Sequence, residues 1–123
     1  MSCSGIIRRV DGVTIVDLSG RITVDGAGVL RDTVKRLVEN GEKAIVLNLA
    51  RVNSIDSIGL GELVSGYVTL ASQGGCLKLL LNAQKHLHAI LEITQLNSVM
   101  EAFTDEADAV ASFPKAAKAA SGW

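Results

Sequence analysis

The residues whose types and spacing could do chemistry lie mainly in one short segment, Asn53-Ser54-Ile55-Asp56-Ser57-Ile58-Gly59-Leu60-Gly61. It joins an apolar run to a stretch of helical period. A carboxylate beside a hydroxyl at such a junction has two uses. Either Asp56 or Ser57 can accept a hydrogen bond from the unpaired N–H groups of the first helical turn. The hydroxyl can also receive a phosphoryl group, which brings strong negative charge. Gly59 and Gly61 leave the first turn bare, so that another protein's backbone can approach closely. Each glycine costs the helix roughly 1 kcal/mol relative to Ala, so a packing or functional purpose is expected. On pattern alone, Ser57 reads first as a plain cap and second as a regulated site.

Little else in the chain points to catalysis. His86 and His88, the only histidines, fall two apart on a predicted helix. That spacing turns them about 200° around the axis, too far to grip one ion together. The two cysteines, Cys3 and Cys76, form neither a disulfide framework nor a zinc spacing. No HExxH, GxSxG or phosphate-loop pattern occurs, and Gly59-Leu60-Gly61 and Gly26-Ala27-Gly28 are too short for a dinucleotide fingerprint. No catalytic residue, metal ligand or cofactor is therefore assigned, and the chain is read as a non-enzyme. Twelve basic residues against thirteen acidic ones leave a formal charge of −1. Arg8-Arg9, Lys35-Arg36 and Lys115/Lys118 are scattered and read as solvated surface charge, so direct nucleic-acid binding is not expected.

The elements that must hold the segment follow from periodicity. A chain of 123 residues with 48% hydrophobic and 20% charged residues suits one folded domain with an aliphatic core. Ile6-Ile7 and Val13 to Leu18 read as strands joined by the turn-forming Asp11-Gly12, with Gly20 closing the second. Residues 27–40 switch to helical period, with Ala27, Leu30, Val34, Leu37 and Val38 on one face and Gly41 as terminator. Ala44 to Leu49 reads as a strand covered on both faces. A second helix is predicted from about Ser57 to Gln73, with Leu60, Leu63, Val64, Tyr67, Val68 and Ala71 inward. Cys76 to Leu81 is the next strand, and Asn82 can cap a third helix that buries Leu87, Ile90 and Leu91. Val99 to Phe103 makes a last strand, and Thr104 or Asp105 caps a final helix limited by Pro114. The order β-β-α-β-α-β-α-β-α predicts an α/β fold: a mixed, mostly parallel sheet of about five strands, an N-terminal hairpin and about four helices. Residues 1–4 read as a flexible N-terminus, 5–113 as the domain and 114–123, with Trp123, as a frayed tail. The apolar runs are too short to cross a membrane, and no signal peptide is recognised, so a cytoplasmic location is expected.

The segment Ile55-Asp56-Ser57-Ile58-Gly59-Leu60-Gly61 resembles the signature of STAS domains, the family of bacterial anti-sigma-factor antagonists. Ile45-Val46-Leu47-Asn48-Leu49 before it and Gly74-Gly75-Cys76-Leu77-Lys78-Leu79 after it match in kind and spacing, and the similarity covers roughly residues 5–113. The resemblance implies a STAS fold and a partner switch. An unphosphorylated antagonist binds an anti-sigma factor with a histidine-kinase-like ATPase fold and so frees a sigma factor for transcription. Phosphorylation at the helix start by the same partner releases it. On that resemblance the partner-binding residues are Asp56, Ser57, Ile58, Gly59, Leu60 and Gly61, with Thr23 and Asp25 from the first loop. Two positions depart from the family. Ile58 stands where the family most often carries the phosphorylated hydroxyl, which leaves Ser57 as the phosphorylation candidate. Thr23 stands where many antagonists have an acidic residue.

Two other readings compete with the antagonist. One is a structural or sensory subunit of a larger signalling assembly, to which an exposed Ile58 would suit a persistent contact. The other is a nucleotide-binding domain using the Asp56–Gly61 turn. A homodimer is also left open.

Overall fold

The computed structural model describes residues 3–24, 26–81 and 85–114, and of Ala27 and Lys85 only the backbone. In chain order its elements are β1 (Ser4–Val10), β2 (Val13–Ile22), α1 (Ala27–Glu39), β3 (Ala44–Ile55), α2 (Ser57–Ser72), β4 (Cys76–Leu80), α3 (Lys85–Ile93), β5 (Ala102–Phe103) and α4 (Glu106–Ala111), with a 3-10 turn at Leu96–Ser98 before β5. This is the predicted order. The sheet runs β1-β2-β3-β4-β5, with β1 antiparallel to β2 and the other pairs parallel.

Because β2 to β5 lie side by side in chain order, right-handed crossovers carry α1, α2 and α3 to the same face. Strand alternation supplies that face with Val16, Leu18, Ile45, Leu47, Leu49, Leu77 and Leu79. Leu30, Val34 and Leu37 from α1, Leu63 and Leu70 from α2, and Leu87 and Leu91 from α3 close over them. The opposite parity, Val13, Ile15, Ala44, Val46 and Leu80, packs under Ala109, Val110 and Phe113. One face thus carries the main core, and the other is covered at one end by α4.

Several boundaries differ from the sequence reading, each for a tertiary reason. β1 is longer than Ile6-Ile7 because the hairpin register continues from Val10↔Val13 out to Ser4↔Ser19. Gly20 does not close β2. It adopts φ +96 inside the strand, near the register shifts that let β2 continue to Ile22. β3 runs past Leu49 to Ile55 because its second half pairs with that extension. β5 keeps only Ala102–Phe103, and Val99 lies outside it, exposed. On α2, Val68 and Ala71 face solvent instead of the core, and Gly66 and Leu70 take the buried positions. Cys3, placed by the sequence reading in a loose N-terminus, is buried at 4% exposure, and burial pushes its thiol pKa up. The expected cap Asn82, the tail residues 115–123 and Asp25 lie outside the described residues.

Candidate functional site

β2 and β3 end in register, with Ile22 opposite Ile55. The loop after β2 and the start of α2 therefore leave the sheet side by side, at the end of a parallel sheet where binding sites usually form. Asp56 is the cap of α2: its Oδ1 accepts the Gly59 N–H at 2.9 Å, and its carbonyl accepts the Leu60 N–H at 2.9 Å. Ser57, the other capping candidate, is instead the first helical residue and is exposed. Asp56 wins because its extended backbone (φ −109, ψ −173) turns the carboxylate back over the first turn. The helix has no other acidic residue in that turn, so this carboxylate is what faces the positive end of its dipole.

Asp56 also reaches the neighbouring loop. Its Oδ2 accepts the Val24 N–H at 3.2 Å, and its own N–H donates to the Ile22 carbonyl at 3.3 Å. Val24 was not singled out by sequence, yet it is 70% exposed beside the predicted contact residue Thr23, which is half-buried. Periodicity gave no signal for it. An exposed valine next to a glycine-rich turn is the trace it leaves.

The two glycines of the signature have different roles. A Cβ on Gly59 would fall within the van der Waals envelope of the Ile22 carbonyl oxygen and 2.8 Å from side-chain carbons of Ile22 and Ile55. Gly59 is buried so that the helix start can press onto the strand ends. A Cβ on Gly61 would meet nothing within 4 Å, and Gly61 is exposed. Leu60 is half-buried and packs on the main core, whereas Ile58 is 49% exposed. The structure thus presents Ser57, Ile58, Gly61 and Val24 outward and spends Asp56, Gly59 and Leu60 on holding them. Gly26 is likewise filled from within: a Cβ there would sit 2.7 Å from the Cys3 nitrogen.

A second polar cluster lies on the face that carries α4. Arg8 donates from Nε to Asp17 Oδ2 at 2.5 Å and from Nη2 to Asp17 Oδ1 at 3.0 Å. The same guanidinium reaches Glu106 at 2.5 and 3.2 Å, and Asn48 Nδ2 adds a bond to Asp17 Oδ1 at 2.7 Å. Arg8 therefore holds the Asp17 carboxyl below its ordinary pKa, aided by Asn48, and the Arg8 pKa is itself raised by the two carboxylates. Lys78, 5% exposed, bonds Ser112 Oγ at 2.9 Å and Glu101 at 3.0 Å and stands 4.6 Å from the Phe113 ring centre. Arg9 pairs with the buried Glu42. Arg8-Arg9, expected to be solvated charge, is thus engaged in ion pairs. His86 is exposed and His88 half-buried on α3.

Depressions of about 240, 300 and 250 Å³ open between α1 and α2, on the sheet beside Arg8 and Arg51, and under α4 at Val10. None of the three is lined by Val24, Ser57, Ile58 or Gly61. No helix among the described residues is long and apolar enough to cross a membrane.

The STAS domain family matches the chain over residues 6–109. The chain is 35% identical over 86 residues to the anti-sigma-B factor antagonist of Bacillus subtilis, covering 70% of this chain and 77% of that one. It also superposes on an anti-sigma factor antagonist from Mycobacterium paratuberculosis with TM-score 0.78 and 24% identity, covering 90% of this chain and 93% of the other. The Bacillus cell fate determinant SpoIIAA in its phosphorylated form shares the fold with TM-score 0.66 and 17% identity, covering 88% and 97%.

Proposed function

Because the chain belongs to the STAS domain family, we propose that it acts as an anti-sigma-factor antagonist, binding a kinase-like anti-sigma factor through Val24, Thr23 and the Asp56–Gly61 turn, with Ser57 as its regulated hydroxyl. The observation that carries this reading is the division of labour at the α2 start. Asp56 and Gly59 hold the helix start and Leu60 packs on the core, whereas Ser57, Ile58 and Gly61 are exposed. The 35% identity to a protein named as an anti-sigma-B factor antagonist supports it.

Ser57 is exposed at the first position of α2, and a phosphate there would lie near the positive end of the helix, which favours its added charge of about −1.5 to −2. In a closed protein interface the same charge beside Asp56 is costly to desolvate. Reversing a 99:1 bound equilibrium takes about 5.5 kcal/mol, the scale that desolvation and like-charge repulsion must reach. Capture from native cells with the wild-type chain and a Ser57→Asp variant tests the reading. Wild type should recover a histidine-kinase-like anti-sigma factor, identified by mass spectrometry, and Ser57→Asp should lose it. Equal recovery by both would show that charge at Ser57 is not the switch.

The exposed apolar Ile58, at the position where the family most often carries its phosphate, favours one second reading: a subunit held persistently in a larger signalling assembly. Light scattering of complexes from native extract separates the two, because a stable multimer unaffected by Ser57→Asp belongs to the second reading alone.

A further inference from the structure

We infer that Asp56 is a positioning residue of the partner surface: its two carboxylate oxygens clamp the β2–α1 loop to the start of α2, so that Val24 and Ile58 are presented together before any partner arrives. This deepens the partner-binding reading above and rests on it. Asp56 carries a surplus acceptor. A helix cap needs one acceptor, and Ser, Thr or Asn would supply it. Asp56 aims two. Oδ1 takes the Gly59 N–H at 2.9 Å inside α2, and Oδ2 takes the Val24 N–H at 3.2 Å across the gap. Its backbone repeats the pattern, donating to the Ile22 carbonyl on one side and accepting from Leu60 on the other. Both targets of the carboxylate are donors, and each is met by a separate oxygen, which a carboxylate supplies and a hydroxyl or an amide does not.

Val24 is 70% exposed, so little burial holds its side chain, and among the described residues the turn bond from the Gly26 N–H to the Thr23 carbonyl does not reach α2. A loop that must be ordered on binding costs affinity, and one ordered beforehand does not. The clamp thus converts two apolar side chains from separate segments into one prepared surface for an apolar patch on the partner.

The decisive variants are Asp56→Asn and Asp56→Ser in the full chain. Each keeps one cap acceptor atom for Gly59, and neither has a second acceptor atom to offer Val24; asparagine would set its NH2 against that N–H. Amide hydrogen exchange by NMR should show the Val24 amide faster by about tenfold or more, with Gly59 altered by less than about threefold. Affinity for the anti-sigma factor recovered by wild type should fall about tenfold in calorimetry, with the thermal midpoint nearly unchanged. Wild-type exchange at Val24 in both variants overturns the clamp, and so does wild-type affinity once that amide is free. If the wild-type chain binds no anti-sigma factor, the partner reading fails, and the clamp is then decided by the Val24 exchange rate alone.

Discussion

The two polar clusters of this domain are built on opposite plans. On the α4 face, charges neutralise one another: Arg8 holds Asp17 and Glu106, and Lys78 holds Glu101. At the α2 start, a single carboxylate serves backbone N–H groups, and a buried glycine does the rest. The first plan uses side chains on each other and ties α4 to the sheet. The second fastens the backbone and leaves the side chains of Val24, Ser57 and Ile58 pointing outward. The exposed residues at the α2 start are therefore held from behind, by groups that do not compete for their side chains.

The close seat of α2 on the strand ends is tested most sharply at Gly59. Gly59→Ala drives a methyl into the Ile22 carbonyl, a backbone atom that cannot swing aside. A loss of about 3 kcal/mol or more is expected in urea unfolding, at the upper end of overpacking costs. If Gly59→Ala unfolds like wild type, the tight seat of α2 on the strand ends is wrong.

Next in size is the ionic cluster. Arg8→Leu leaves Asp17 and Glu106 without their shared cation. Arg8 is more than one-third exposed, so solvent screening limits the loss to about 1–2 kcal/mol. The effect should appear as α4 detaching first, with faster amide exchange at Ala109 and Val110 than at Leu63.

The same cluster should govern acid stability. Asp17 is held below its ordinary pKa of 3.8, mainly by Arg8. Such a group adds stability that is fully present above its unfolded-state pKa and disappears as pH falls through the lower folded value. Denaturation profiles between about pH 6 and pH 2 should therefore fall more steeply for wild type than for Asp17→Asn. Parallel profiles would remove Asp17 as a source of acid sensitivity.

The smallest effect belongs to Gly61. Gly61→Ala meets open space and removes a poor helix former, so it should stabilise the chain by roughly 0.5–1 kcal/mol. If it weakens capture of the anti-sigma factor while raising the unfolding midpoint, the bare position serves the partner.

Much of this architecture was legible in the sequence. Apolar residues at helical spacing located α1, cap chemistry located the start of α2, and the alternation of strands with helices implied right-handed crossovers and a mostly parallel sheet. Boundaries were less legible where pairing overrode local signals. Gly20 looks like a strand end, but its positive φ sits inside β2 because β3 continues to pair beyond it. Val68 follows the i, i+4 apolar spacing from Leu60 and Val64 yet faces out, because the buried stripe of α2 runs instead through Gly59, Leu63, Gly66 and Leu70.

The site divides in the same way. By itself the sequence determined that a carboxylate, a hydroxyl and two glycines meet at a helix start, since cap chemistry and helix propensity act over three or four residues. Which of Asp56 and Ser57 caps, which glycine is needed for packing, and that Val24 joins the surface were decided only by tertiary structure. The cap choice follows the backbone angles of Asp56, while the other two depend on atoms more than thirty positions away in the chain, Val24 N and the Ile22 carbonyl, and contacts of that kind leave no local period to read.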